Sequence, residues 1–225
     1  MRTYDEIFAL AAERHGGRQA LETKLAEQKP KSEDELAAVS DDRVLAIFSK
    51  CVFQAGFSWK VIEAKWDGFE DAFHQFDPAR CAMMSDEDFD ALLADTRIVR
   101  NAQKIMAVRD NAVLLRELAA EHGSAAALIA RWPASDYIGL LEMLKQRGGR
   151  LGGNTGQMAL RFLGKDSFVL SKSVIAALVR EGVVDRTVFS KKSLRATQAA
   201  FDAWMRESGR SMTEMSRTLA FSVPD

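Results

Sequence analysis

The sequence has little cysteine, no long apolar run and no sustained alternation of apolar and polar residues. Each absence excludes something. Cys51 and Cys81 are the only cysteines, with neither CxxC spacing nor a nearby histidine, so a disulfide scaffold and a zinc site are not expected. No stretch is apolar enough over a bilayer's thickness to span it. Asp5, Glu6, Glu13 and Arg14 interrupt the N-terminus, so neither a signal nor a transit peptide is expected there. A reducing, cytoplasmic setting follows as the expectation. Without strand alternation or internal repeats the chain reads as all-α. Its 225 residues, 47% hydrophobic and 28% charged, suit one globular domain or two small lobes sharing a core.

What is present begins with uneven charge. The net charge is −1, yet residues 141–200 carry eleven Lys and Arg (Lys145, Arg147, Arg150, Arg161, Lys165, Lys172, Arg180, Arg186, Lys191, Lys192 and Arg195) against four acids, a local charge of +7. The acids gather instead near residues 86–95. A locally basic stretch is either a phosphate-binding face or an ordinary solvated surface, and charge alone leaves both open.

Helical periodicity runs through residues 4–14 and 20–27, an apolar run from Val44 to Phe48 after Ser40, and residues 60–76, 85–95, 98–118, 135–147, 158–163, 169–179, 189–207 and 212–220. Ser40 and Ser85 stand where caps belong, and Pro30 and Pro133 mark connections. Between two of these helices lies "GGRLGGNTG", with Gly148, Gly149, Gly152, Gly153 and Gly156. Glycines there allow left-handed backbone and close approach, and free amides before a helix can hold a phosphate. A tight helical hairpin explains the same glycines.

The stretch "VFQAGFSWKVI" places Gly56, Phe57 and Trp59 inside otherwise continuous helix. Trp59, Ile62 and Trp66 can be a core stripe. Alternatively Trp59 is an exposed wall for a stacked base, with Phe57 as a wedge into a duplex.

Taken in order, "FQAGFSW", "FEDAFHQFDPARCAMMSDEDFDALLAD" and "IVRNAQKIMAVRDNA" resemble the DNA-3-methyladenine glycosylase I family of helix-hairpin-helix DNA glycosylases. The likeness is dense over about residues 44–115 and looser through the glycine hairpin. It implies a two-lobed all-α protein that flips a damaged base out of double-stranded DNA and hydrolyses its N-glycosidic bond. Implied base-pocket residues are Trp59 and Cys51. Implied DNA contacts are Gly56, Phe57, Arg150, Gly152, Gly153, Thr155, Gly156 and Lys172. The expected division is an N-terminal extension (1–38), a glycosylase core (39–184, hairpin near 144–163) and closing C-terminal helices (185–225).

The sequence also departs from the family. Where the family carries a pocket glutamate, five positions before the glycine of the turn, this chain has Cys51. The family's zinc ligands are missing. No cysteine stands near the N-terminus, Ser173 and Ala177 occupy the C-terminal positions, and His15 alone cannot hold a metal. No metal and no cofactor are therefore expected, with Trp204 and Phe221 as packing anchors instead. Ser171 stands where wider relatives have a catalytic Asp, and no Lys follows Gly153, which favours a monofunctional hydrolase with Lys172 on a phosphate. No catalytic residue is assigned. The expected form is a monomer acting on DNA with an alkylated base and binding no membrane. The alternatives are a non-catalytic lesion binder and a glycosylase for another modified base.

Overall fold

A computed structural model describes residues 1–185 and 188–224. Arg186 lies outside the described residues. In chain order the helices are α1 (Tyr4–Arg14), α2 (Arg18–Ala26), α3 (Glu33–Ala37), α4 (Asp41–Gln54), α5 (Trp59–Ala64), α6 (Trp66–Ala72), α7 (Pro78–Ala82), α8 (Asp86–Ala94), α9 (Ala102–His122), α10 (Ala125–Arg131), α11 (Tyr137–Arg147), α12 (Asn154–Leu163), α13 (Lys172–Arg180), α14 (Lys191–Ser208) and α15 (Met212–Phe221). No strand occurs among the described residues. The fold is all-α, as the missing alternation implies.

Side-chain caps set most of the helix starts. Thr3 with Glu6, Ser32 with Glu35, Ser85 with Asp88 and Ser211 with Glu214 each form a reciprocal capping box. Asp77 caps α7, Asn101 caps α9 and Ser171 caps α13. Ser40 precedes α4 as the sequence suggests but makes no side-chain cap bond. Its neighbour Asp41 accepts instead from the amides of Ala125 and Ala126 and so caps α10.

The chain divides into two compact units. One comprises residues 1–31, 133–139 and 164–225, the other residues 32–132 and 140–163. In the first, Trp204 is fully buried and its Nε1 donates to the Arg2 carbonyl at 3.0 Å. Phe168 stacks on Phe201 at 4.7 Å and meets Tyr137 edge-on. Arg210 forks onto Glu22, and Asp166 accepts from the Met212 and Thr213 amides at the start of α15. Phe221 takes the edge of His15 at 4.7 Å.

In the second unit, the periodic run at residues 60–76 is not one helix. It breaks at Lys65 (φ −104°, ψ 2°) and ends in three left-handed residues, His74, Gln75 and Phe76. Arg43 holds this turn, donating to both Glu70 carboxylate oxygens at 2.9 and 3.0 Å and to the Gln75 carbonyl at 2.7 Å. Trp66 stacks between Phe69 and Phe76, at 5.5 and 5.3 Å. Positive φ at a bulky residue such as Phe76 is uncommon and costs energy, so the surrounding packing has to fix it.

Candidate functional site

α4 is buried along most of one flank, and Cys51 and Gln54 lie in its last turn, each about 4% exposed. The helix stops at Ala55 (ψ 115°), and Gly56 follows with φ +69°, which glycine reaches without a Cβ penalty. The chain then reverses into α5. Residues 55–60 are all exposed.

The stripe expected across Trp59, Ile62 and Trp66 is therefore split. Ile62 is fully buried, Trp66 is half-buried in the aromatic stack, and Trp59 stands 48% exposed. Trp59 meets Phe162 of α12 edge-on at 6.0 Å. Ile47, Lys50, Cys51, Gln54, Trp59, Glu63 and Phe162 together line a cleft of about 400 Å³. The structure thus brings Trp59 and Cys51 to one cavity. Burial pushes the Cys51 thiol up to about 12, so it is a neutral wall and no carboxylate substitute.

Three polar residues of this cleft, Lys50, Gln54 and Glu63, were not singled out from sequence, nor was Lys104 outside it. Glu63, one helical turn beyond Trp59, accepts from Lys50 Nζ at 2.8 Å and sits 3.4 Å from Gln54 Nε2. The i, i+4 spacing from Trp59 was the available signal. Lys104 is the other surprise. Its spacing from Arg97 and Arg100 would suit one basic face, yet Lys104 is only 6% exposed. Its Nζ donates to the Phe53 and Ala55 carbonyls, and Phe57 lies 5.8 Å from it, ring centre to nitrogen. Burial, with help from Arg150, holds its pKa below the ordinary lysine value. Arg97 is tied to Asp95 at 2.7 Å.

The glycine hairpin has a packing explanation at three positions. Asn111 accepts from the Gly149 amide at 2.8 Å and donates to its carbonyl at 3.1 Å. A Cβ on Gly149 would lie 2.9 Å from Ala107 Cα, one on Gly148 would crowd the Leu144 carbonyl, and one on Gly156 would overlap the Leu151 carbonyl. Gly153 (φ +59°) has open space around it, and a Cβ on Gly152 would meet only the flexible Lys145 stem. Arg150 has φ 59° and donates to Gln103 at 2.8 Å. Thr155 opens the second residue of α12.

Lys172, the first residue of α13, belongs to the other compact unit and is exposed. The basic stretch is likewise divided, and part of it is interior. Arg161 and Lys165 are buried, Arg147 pairs with Glu117, and Arg180 donates to the Ser222 carbonyl.

Zinc does not fit the residues present. Ala177 is fully buried without a ligand atom, and His15 Nδ1 lies 3.1 Å from Lys24 Nζ with its ring against Phe221. Among the described residues no three His, Cys, Asp or Glu gather as a metal site. No helix among them is long and apolar enough to cross a membrane.

Comparison with known proteins gives the same segment a family. The sequence pattern described as methyladenine glycosylase matches residues 37–141, which include α4, α5 and α9 but stop before the glycine turn. DNA-3-methyladenine glycosylase 1 of Escherichia coli (strain K12) is 42% identical over 59 residues, 26% of this chain and 32% of that protein. DNA-3-methyladenine glycosylase of Haemophilus influenzae (strain ATCC 51907 / DSM 11121 / KW20 / Rd) is 39% identical over an equal length. The chain therefore aligns with about a third of the length of these curated relatives. A crystal structure of 3-methyladenine DNA glycosylase I has 26% identity and a TM-score of 0.48, covering 60% of this chain and 80% of that one. The Staphylococcus aureus 3-methyladenine DNA glycosylase I has 24% identity and a TM-score of 0.49, covering 56% and 77%. Residues 37–141 of the chain thus resemble the methyladenine glycosylase family.

Proposed function

We propose that this protein is a monofunctional DNA N-glycosylase that takes an alkylated base such as 3-methyladenine, flipped from double-stranded DNA, into the cleft beside Trp59. The observation that carries the reading is the shared cavity of Trp59 and Cys51, lined by α4 and α5 of the family-matched segment and by Phe162 of α12 beyond it. A 3-methylated adenine in DNA is cationic and a good leaving group. Its departure with the glycosidic bonding pair leaves a neutral base, and water adds to the sugar carbon with loss of a proton. The site therefore needs no strong general acid. An exposed indole face attracts such a cation, by about 0.5–2 kcal/mol. Extrusion costs a few kcal/mol and less for a poorly paired base, which itself selects damage.

In this reading Phe57 abuts the vacated stack at the Gly56 turn. Arg150, Gly152, Gly153, Thr155 and Gly156 hold phosphate at the hairpin, and Lys172 is a further phosphate contact. The protein acts as a cytoplasmic monomer without metal. Incubation with methylated duplex and chromatography of released bases tests it: free 3-methyladenine is expected. Binding of lesion or abasic duplex without any released base would favour a non-catalytic binder. The neutral thiol at Cys51 is the observation on that side. Release of a different modified base would place the activity elsewhere in the same chemistry.

A further inference from the structure

Among its described residues the cleft beside Trp59 holds one anion, one cation and one unsatisfied acceptor, and their arrangement is specific. Glu63 lies on the same helix as Trp59, four residues on, and its side chain is 57% exposed. It is clamped by Lys50 Nζ at 2.8 Å and approached by Gln54 Nε2 at 3.4 Å. An ionised carboxylate only accepts, so the Gln54 amide must turn its nitrogen toward Glu63. That orientation leaves Gln54 Oε1 buried and without a partner. Gln54 is itself 4% exposed and lines the cleft. A buried carbonyl without a donor is costly, and a ligand N–H arriving in the cleft would satisfy it.

Lys50 has a second attraction. Its Nζ lies 4.7 Å from the Trp66 ring centre, so it can leave Glu63 and remain stabilised by an aromatic face. Cys51 supplies no charge. Among the described residues that line the cleft, Glu63 is thus the sole anionic group, and it stands one turn from the indole on which a flat ring would stack.

We infer that Glu63 is the residue that selects positively charged bases, with Gln54 Oε1 accepting an N–H from the base edge and Lys50 as the counter-ion a cationic base displaces. A cationic purine exchanges places with Lys50 on Glu63. A neutral purine of the same shape gains nothing from that exchange, because it would break the Lys50 pair without replacing it. The inference deepens the glycosylase reading and rests on it for the identity of the ligand as a base.

The test uses a matched pair of probes, 3,9-dimethyladeninium as a permanent cation and 9-methyladenine as its neutral counterpart, titrated calorimetrically into the full chain. Wild type is expected to prefer the cation at least tenfold. Glu63→Gln is expected to lose that preference. Lys50→Met, which keeps the stem and removes the competing charge, is expected to raise cation affinity severalfold. Gln54→Leu is expected to weaken both probes. Thermal melts of each variant confirm folding. Undiminished cation preference in folded Glu63→Gln would overturn the inference, as would failure of wild type to bind either probe. Base release from methylated duplex is measured in parallel. If wild type releases no base yet binds the cation through Glu63, the glycosylase reading falls and the Glu63 assignment stands. If wild type releases base and Glu63→Gln binds both probes as wild type does, the reverse holds.

Discussion

The ammonium of Lys104 donates to the carbonyl of Ala55 at 2.7 Å and to that of Phe53 at 3.0 Å, closing the C-terminal end of α4 from a residue far along the chain. A cation is favoured at a helix C-terminus, where carbonyls lack intrahelical partners. It fixes the point at which the chain leaves the helix and turns through Gly56 to Phe57 and Trp59. Lys104→Met keeps the stem and removes both donors. Hydrogen bonds to charged groups contribute about 1.5–3 kcal/mol each, and the cost of burying the ammonium offsets part of the two, so a loss of about 2 kcal/mol in urea unfolding is expected. Hydrogen exchange should also quicken at the Phe57 amide, which bonds to the Gln54 carbonyl at 3.0 Å. Unchanged exchange there would separate Lys104 from the turn.

Arg43 makes a second prediction about shape. It bridges Glu70 and the carbonyl of left-handed Gln75. Arg43→Met should destabilise by about 2–4 kcal/mol, because it removes charge-assisted bonds that hold a costly backbone turn. A loss below about 0.5 kcal/mol, in the range of ordinary surface substitutions, would show that the Trp66, Phe69 and Phe76 stack holds the turn alone.

The sequence made most of the helices legible, but not α3 or α10, nor the breaks within the run at residues 60–76. Caps and periodicity mark α1, α8 and α15 closely, since each uses a local rule. The run at residues 60–76 has helical spacing throughout, yet it splits at Lys65 and reverses at His74. The bonds that stabilise the reversal come from Arg43, about thirty positions earlier, and no local window contains them. Charge misled for a similar reason. Counting Lys and Arg along residues 141–200 cannot reveal that Arg161 and Lys165 are interior. Trp59 and Cys51 were legible as pocket residues only through the family resemblance. Glu63 was visible from its spacing to Trp59, but its role depends on Lys50 and Gln54, which only the folded α4 presents.

Acid should unfold the first unit through Arg210. The Arg210 bonds hold Glu22 below the ordinary value of 4.5. Burial pushes Glu214 upward, but bonds from Ser211 and Arg210 outweigh it and hold it below 4.5 as well. Both carboxyls ionise more readily folded than unfolded, so the unfolded chain takes up protons first as pH falls. Their contribution is full above about pH 4.5 and disappears as pH falls through the depressed folded values. Arg210→Met removes much of that difference. Its melting temperature should be lower than wild type near pH 7, and the gap should narrow toward pH 3. A constant gap across that range would mean that Arg210 acts through packing on Tyr4 and Phe8.

The hairpin glycines should rank by what a Cβ meets. Gly149→Ala and Gly156→Ala press against backbone, and overpacking of that kind costs about 1–3 kcal/mol or more. Gly153→Ala has room but must hold φ +59°, at a cost of about 1–2 kcal/mol. Gly152→Ala meets only a lysine stem and should be nearly neutral. Urea midpoints for the four variants check the order. If Gly152→Ala folds normally but binds duplex poorly, the hairpin backbone approaches phosphate at that position.

Trp59 and Ile62 separate function from packing within one short helix. Ile62 is fully buried, and Ile62→Ala should cost about 2–5 kcal/mol through lost contact and a cavity. Trp59 is 48% exposed, with its one aromatic contact the edge of Phe162, so Trp59→Ala should cost about 1 kcal/mol or less. If the indole is the wall on which the flipped base lies, that same variant should lose base release by at least tenfold, since stacking contributes about 1–3 kcal/mol per base. Stability by thermal melt and release of methylated base by chromatography are measured on both variants. A Trp59→Ala protein that melts like Ile62→Ala would return the indole to the core. One that melts like wild type and still releases base at the wild-type rate would remove the stacking wall from the mechanism.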